Sequence, residues 1–180
     1  MITKKEQRYA QKRAAGILKK AGIAITKKEA ENIEVVDHGF GFKNQLCAEI
    51  LVYENNDIYC AKEIVLFPGQ TVAEHRHPRV GAYKGKMETF RCRKGIVYLY
   101  IAGKSAKKIK AKVPEFRKEY FTAFREIILN PGEQYTLKPN TLHWFQAGPK
   151  GAIVSEFSSK SIDKTDVFTD PDIKRITVVK

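Results

Sequence analysis

The chain has 180 residues and a mass of 20.5 kDa, enough for one hydrophobic core and too few for two of ordinary size. Hydrophobic residues make up 43% and charged residues 29%, which excludes a disordered chain, a collagen and a disulfide-stapled miniprotein; no apolar run of about eighteen residues and no N-terminal apolar h-region marks a membrane span or a secretory signal, so a cytoplasmic protein is expected. The net charge of +13 raises nucleic acid as a partner, yet eight of those charges fall within residues 1–28, where nine basic side chains stand against Glu6, and a run of this kind reads as a solvated helix face; nucleic acid is not expected to bind.

Thr3-Lys4-Lys5-Glu6 has the form of a capping box, and Ala10, Ala14, Ile17, Leu18 and Ala21 recur at helical spacing until Gly22. Thr26-Lys27-Lys28-Glu29 repeats the signal and opens a shorter helix toward Ile33. Residues 1–34 thus form a basic helical segment, expected to pack on the body at 35–180. From residue 35 onward short runs of Val, Ile, Tyr and Phe alternate with turn residues, which makes the fold class mainly β, a sandwich or barrel. The predicted strands are 46–54, 58–67, 71–77, 86–93, 96–102, 121–129, 134–137, 142–147 and 151–158. Lys94-Gly95 and Gly148-Pro149 are among the turns that separate them. Lys104–Lys118 reads as an exposed loop, and Ile176, Val178 and Val179 near the C-terminus as a further edge strand. Cys47, Cys60 and Cys92, odd in number and without C-x-x-C spacing, read as reduced thiols.

Two of the four histidines form His75-Arg76-His77. Side chains two apart on a strand share a face, so both imidazoles can reach one point inside a barrel, as a metal site requires. An isolated H-x-H also occurs on exposed strands, and the neighbours decide. Gly69 precedes His75 by five intervening residues, Glu88 follows His77 after ten, and Gly95 follows Glu88 after six. This resembles the first motif of the cupin superfamily, lengthened by the loop Pro78–Gly85. Gly132 and Lys138-Pro139-Asn140-Thr141-Leu142-His143 resemble the second motif, with Asn140 in place of the family's glycine at a left-handed turn. The resemblance implies a cupin-type β-barrel, a double-stranded β-helix preceded by N-terminal helices. Three neutral imidazoles and one carboxylate would leave positions open on a divalent ion, and spacing does not choose among Mn, Fe, Ni, Co and Zn. His38 reads as a surface or packing residue.

Strand parity adds three charged residues. Lys86 shares its face with Glu88, Glu156 alternates with Ala152 and Val154, and Lys62 alternates with Cys60, Ile64 and Leu66. Charges inside a barrel cost several kcal/mol unless paired, so they mark function there; the alternative is an outer, solvated face for each. Trp144 and Phe145 point to opposite faces, and Arg91 and Arg93 lie on the face away from Glu88.

The strings Glu63–Gln70, Glu74-His75-Arg76-His77-Pro78, Gly85–Arg93, Asn140–Gly148 and Phe168-Thr169-Asp170-Pro171 together resemble the bacterial D-lyxose ketol-isomerases of the cupin superfamily, over about residues 15–173. The resemblance implies His75, His77, Glu88 and His143 as metal ligands, with Mn2+ as the usual ion, and Lys62, Lys86, Glu156 and Asp166 facing a sugar substrate. It implies aldose–ketose interconversion, D-lyxose with D-xylulose and also D-mannose with D-fructose; the mechanism expected of these residues passes through a cis-enediol, with Glu156 moving the proton between C2 and C1, Lys86 donating to the developing alkoxide, and Lys62 and Asp166 binding hydroxyls. Family habit and the apolar edge strand favour a homodimer. Three other readings stay open at this point: a cupin isomerase of phosphorylated sugars, a non-haem iron dioxygenase, and a sugar-sensing or nucleic-acid-binding cupin.

Overall fold

Each helix starts on its reciprocal cap. In the computed structural model, which describes residues 1–180, Thr3 Oγ1 accepts from Glu6 N at 3.2 Å while Glu6 Oε2 accepts from Thr3 N at 2.8 Å, and Thr26 and Glu29 do the same. They open α1 (Lys4–Lys20) and α2 (Lys27–Glu31), neither of which is long and apolar enough to cross a membrane. Ala10, Ala14 and Leu18 of α1 are fully buried against Leu51, Val65, Phe67 and Ile153, so the helix covers the outer face of the sheet and its lysines remain in water.

The body is one curled antiparallel sheet of nine strands: β1 (Glu34–Val36), β2 (Ala48–Asn55), β3 (Tyr59–Leu66), β4 (Thr71–Arg76), β5 (Glu88–Ile101), β6 (Arg125–Leu129), β7 (Gln134–Leu137), β8 (His143–Ser159) and β9 (Val167–Phe168). The order β1-β2-β3-β8-β4-β9 forms the main path, and β5 joins β6, β7 and β8. β8 lies at the centre. Its first part, from His143 to Ala147, pairs with β4 and the far end of β5; its second, from Ala152, pairs with β3 and the near end of β5.

Two expected turns prove to be corners inside long strands. Residues 86–93 and 96–102 are one 14-residue strand, and residues 142–147 and 151–158 are one strand of 17. Lys94-Gly95 is an irregularity of register, and opposite it the residues between Ala147 and Ala152 arch away from the ladder. The reason is steric. Gly95 (φ +78°) and Gly151 (φ +77°) touch backbone to backbone, and a Cβ on Gly95 would lie 2.0 Å from the Gly151 carbonyl oxygen. The glycines let two strands bend together without ending.

Three other expectations change. Residues 121–124 are not strand; they form the run into β6, with Phe121 and Ala123 buried. The Lys104–Lys118 loop is anchored, since Ala111 is buried and donates its N–H to Tyr100 Oη at 2.8 Å. Residues 176–179 add no edge strand and make only a parallel bridge between Val179 and Ile2, while β9 takes the open edge beside β4. Three apolar clusters result. One fills the barrel with Ile50, Ile64, Leu66, Phe90, Phe145 and Val154, one lies under α1, and one surrounds Trp144, Tyr100 and Phe121 outside β4 and β8.

Candidate active site

The apolar filling does not reach one end of the barrel, where β3, β4, β5 and β8 turn charged side chains inward. β4 delivers His75, and His77 follows directly after its end. Opposite, His143 begins β8 and pairs with His75 in register. The turn before it contains Asn140 at φ +64°, whose N–H donates to the His77 carbonyl at 3.0 Å and so ties the two histidine segments together. Glu88 begins β5. The long loop before it returns past Gly85 (φ +86°), where a Cβ would meet the His77 carbonyl oxygen at 2.6 Å.

One ligand atom from each of His75, His77 and His143 lies within 4.8 Å of the others. Each Nδ1 is already engaged: His75 with the Ala73 carbonyl at 2.8 Å, His143 with the Thr141 carbonyl at 2.9 Å, and His77 with Asp166 Oδ1 at 2.5 Å. Those bonds leave each Nε2 as the acceptor nitrogen. The Nε2 atoms of His77 and His143 are buried without a hydrogen-bond partner, 3.3 and 3.1 Å from Glu88 Oε1. Buried polar atoms normally have partners, so this cluster of converging nitrogens beside a carboxylate fits a divalent cation by its donor chemistry.

A line of alternating charge continues from Glu88. Lys86 Nζ lies 2.8 Å from Glu88 Oε2 and 3.1 Å from Glu156 Oε1, and Lys62 Nζ lies 3.3 Å from that same Glu156 oxygen. Lys62 and Glu156 are cross-strand partners on β3 and β8. All three are at most 6% exposed and line the cavity. Val36, Ile50, Ile64, Phe90 and Phe145 supply the apolar part of the cavity wall.

Burial alone would raise the Glu88 carboxyl, but Lys86, His143 and His77 outweigh it and hold the group well below the carboxylate range. Burial acts likewise on Glu156, and Lys62 and Lys86 reverse it, so Glu156 stays ionised. Burial would also lower the Lys86 ammonium, yet Glu156 and Glu88 raise it. His75 is kept well below the histidine range by burial and by the His143 and His77 rings, so it is neutral. For His77, burial is overcome by Glu88 and Asp166, and its value rises. Asp166 lines the cavity while its Oδ1 is engaged with His77, a second task beside the sugar contact expected of it.

The structure adds residues that the sequence did not reveal. Arg175 and Asp163 line the same cavity and pair at 2.7 Å, and Arg175 also binds Glu34 at 2.5 Å. Burial would raise Asp163, but Arg175 leads the charges that bring it down. These residues come from the polar tail, where no periodicity marks them. His38 is buried in the cavity wall with Nδ1 3.0 Å from the Leu46 carbonyl, and burial lowers it to about 4. Trp144 packs outside the barrel and Phe145 lines the cavity; Arg93 is exposed and Arg91 bonds Gln134 on the outer face.

Chemically, the cavity can hold a cation at one side and present beside it an ionised carboxylate paired with two lysines.

The family model described as D-lyxose isomerase matches residues 40–180. A D-lyxose ketol-isomerase of Thermofilum sp. is 58% identical over 176 residues, covering 98% of each chain. A D-lyxose/D-mannose isomerase of Thermosediminibacter oceani is 56% identical, covering 100% of this chain and 99% of that protein. Among solved structures, the L-ribose isomerase of Cellulomonas parahominis superposes with a TM-score of 0.79 over 99% of this chain and 98% of that one; at 15% identity this likeness speaks for the fold alone.

Proposed function

The chain belongs to the D-lyxose isomerase family and is an aldose–ketose isomerase, and from that premise we propose that it interconverts D-lyxose with D-xylulose, and D-mannose with D-fructose, as a manganese-dependent cytoplasmic enzyme. The observation that carries this reading is the single cavity in which His75, His77, Glu88 and His143 adjoin Lys86, Glu156 and Lys62.

In this reading His75, His77, His143 and Glu88 hold the ion, which supplies Lewis-acid polarisation of the sugar's carbonyl and adjacent hydroxyl. Glu156 removes the proton from C2 of the open-chain aldose and returns it to C1 on the same face of the cis-enediol, while the O2 hydroxyl proton passes to O1, so that the carbonyl moves from C1 to C2. Lys86, kept protonated by its two carboxylates, donates a hydrogen bond to the oxygen where negative charge develops. Lys62 pairs with the same Glu156 oxygen as Lys86 and orients hydroxyls. Asp166 binds a hydroxyl and keeps His77 in the tautomer that points Nε2 at the ion. The apolar walls exclude water from the enediol.

Every cation lining the cavity already faces carboxylates: Lys62 with Glu156, Lys86 with Glu88 and Glu156, and Arg175 with Glu34 and Asp163. That balance favours a neutral sugar over a phosphorylated one. For the expected homodimer, Tyr53, Tyr59 and Phe157 offer exposed apolar surface on β2, β3 and β8. The test is to load the protein with manganese and assay ketose formation from a panel of aldoses and aldose phosphates, with and without chelator. Turnover of phosphorylated sugars alone, or turnover untouched by chelator, would overturn the assignment.

A further inference from the structure

Glu74 is the residue immediately before the first imidazole of the cluster, yet its carboxylate points the other way. Between Val72, paired with Phe145, and His75, paired with His143, the β4 ladder slips by one residue, so Ala73 and Glu74 form a bulge. The bulge sends Val72 and His75 into the cavity and leaves Glu74 behind the wall, 2% exposed, without a basic partner.

Four hydrogen bonds meet there. Glu74 Oε2 accepts from the backbone N–H groups of Thr122 and Ala123, both at 2.7 Å. Its Oε1 accepts from the hydroxyls of Thr122 at 2.8 Å and Thr169 at 2.7 Å. The Glu74 carbonyl accepts from Thr169 N at 3.1 Å as well. A buried carboxyl group behind a wall shared with Trp144 and Phe121 is costly, and an apolar residue would pack there at lower cost.

The bonds lead to all three imidazoles. Thr169 continues β9, whose Phe168 pairs with His75 and stacks on its ring at 5.3 Å, and two residues earlier Asp166 holds His77 Nδ1. On the other side the Ala123 carbonyl accepts from Trp144 Nε1 at 2.7 Å, and Trp144 adjoins His143. We propose that Glu74 is a positioning residue that locks the 166–169 strap and the 122–123 loop onto β4 and thereby sets the geometry of the three histidines for the cation. This inference rests on the metal reading above.

The experiment measures manganese dissociation constants by calorimetry, and melting temperatures of the metal-free proteins, for the full-length wild type, Thr169→Val, Thr122→Val and Glu74→Gln. Thr169→Val and Thr122→Val each remove one hydroxyl from the same carboxylate oxygen, but only Thr169 leads to Asp166 and Phe168. Thr169→Val should weaken manganese by about tenfold and Glu74→Gln by at least as much, with Thr122→Val within about twofold of wild type because the Thr122 and Ala123 N–H groups still tie the 122–123 loop to Glu74 Oε2. Should Glu74→Gln not fold, the two threonine variants decide. Manganese affinity unchanged in Thr169→Val overturns the proposal, as does equal weakening in both threonine variants in step with lost melting temperature. If the wild type itself takes up no manganese, the metal reading fails and takes this inference with it.

Discussion

Lys86 Nζ and Glu156 Oε1 lie 3.1 Å apart inside the barrel although 70 positions separate them in the chain. The pair exists because β5 and β8 run side by side, with Phe90 opposite Glu156, and because Lys86 precedes Glu88 by two positions on the inward face. Glu156 is thereby held ionised beside Lys62 and Lys86 at the cavity wall, where the proposed mechanism uses it as the base.

Glu156→Gln keeps the shape and removes the base. Isomerase turnover should fall by about 10²- to 10⁴-fold while manganese uptake stays within a few-fold of wild type. A coupled ketose assay with calorimetric metal titration checks both halves; full activity in this variant would falsify the base assignment.

His77 and Asp166 form the second test. His77→Ala should lose manganese and activity together. Asp166→Asn should retain the fold but weaken manganese by about 10- to 100-fold, because the ring loses the carboxylate that fixes its tautomer. Excess manganese should restore part of the Asp166→Asn activity and none of that of His77→Ala.

Gly95 probes the corner of the barrel. Gly95→Ala places a Cβ 2.0 Å from the Gly151 oxygen at a backbone φ of +78°, so about 3 kcal/mol or more of stability should be lost. Gly132→Ala has a positive φ but open space around it and should cost about 1–2 kcal/mol. Denaturant midpoints of the two variants, compared with wild type, measure the difference.

Glu49, on the outer face of β2, has no exposed surface and one hydrogen bond, from Gln70 Nε2 at 3.2 Å; burial raises its carboxyl to about 8. Between the ordinary carboxylate value and that value, the folded state binds a proton that the unfolded state has lost. Stability therefore falls as pH rises through this window and is level above it. Glu49→Gln should add a few kcal/mol at pH 9, on the order of 1.4 kcal/mol for each pH unit of the window, and close to nothing at pH 4. Thermal melts at both pH values test it; an equal gain at both would rule out titration as the cause.

Much of this site could be read from the order of residues. His75 and His77 share a face by parity, Lys86 shares one with Glu88, and Glu156 stands on the apolar row of Ala152 and Val154; all of them line or adjoin the cavity. Both capping boxes and Asn140 at its left-handed turn were equally legible. These are local properties, because alternation along an extended backbone and the conformational preference of a turn residue need no distant partner.

The sequence by itself determined the two capping boxes, the inward rows and the all-β body, since each follows from residues a few positions apart. Only the tertiary structure decided that Lys94-Gly95 and Gly148-Pro149 are corners within single strands, that Asp166 reaches His77, that Arg175 and Asp163 meet at the cavity, and that Ala73-Glu74 bulges. Each of these depends on contact between segments far apart in the chain. A turn signal reads the same whether the strand ends or bends, and what distinguishes the two is the backbone packed against it.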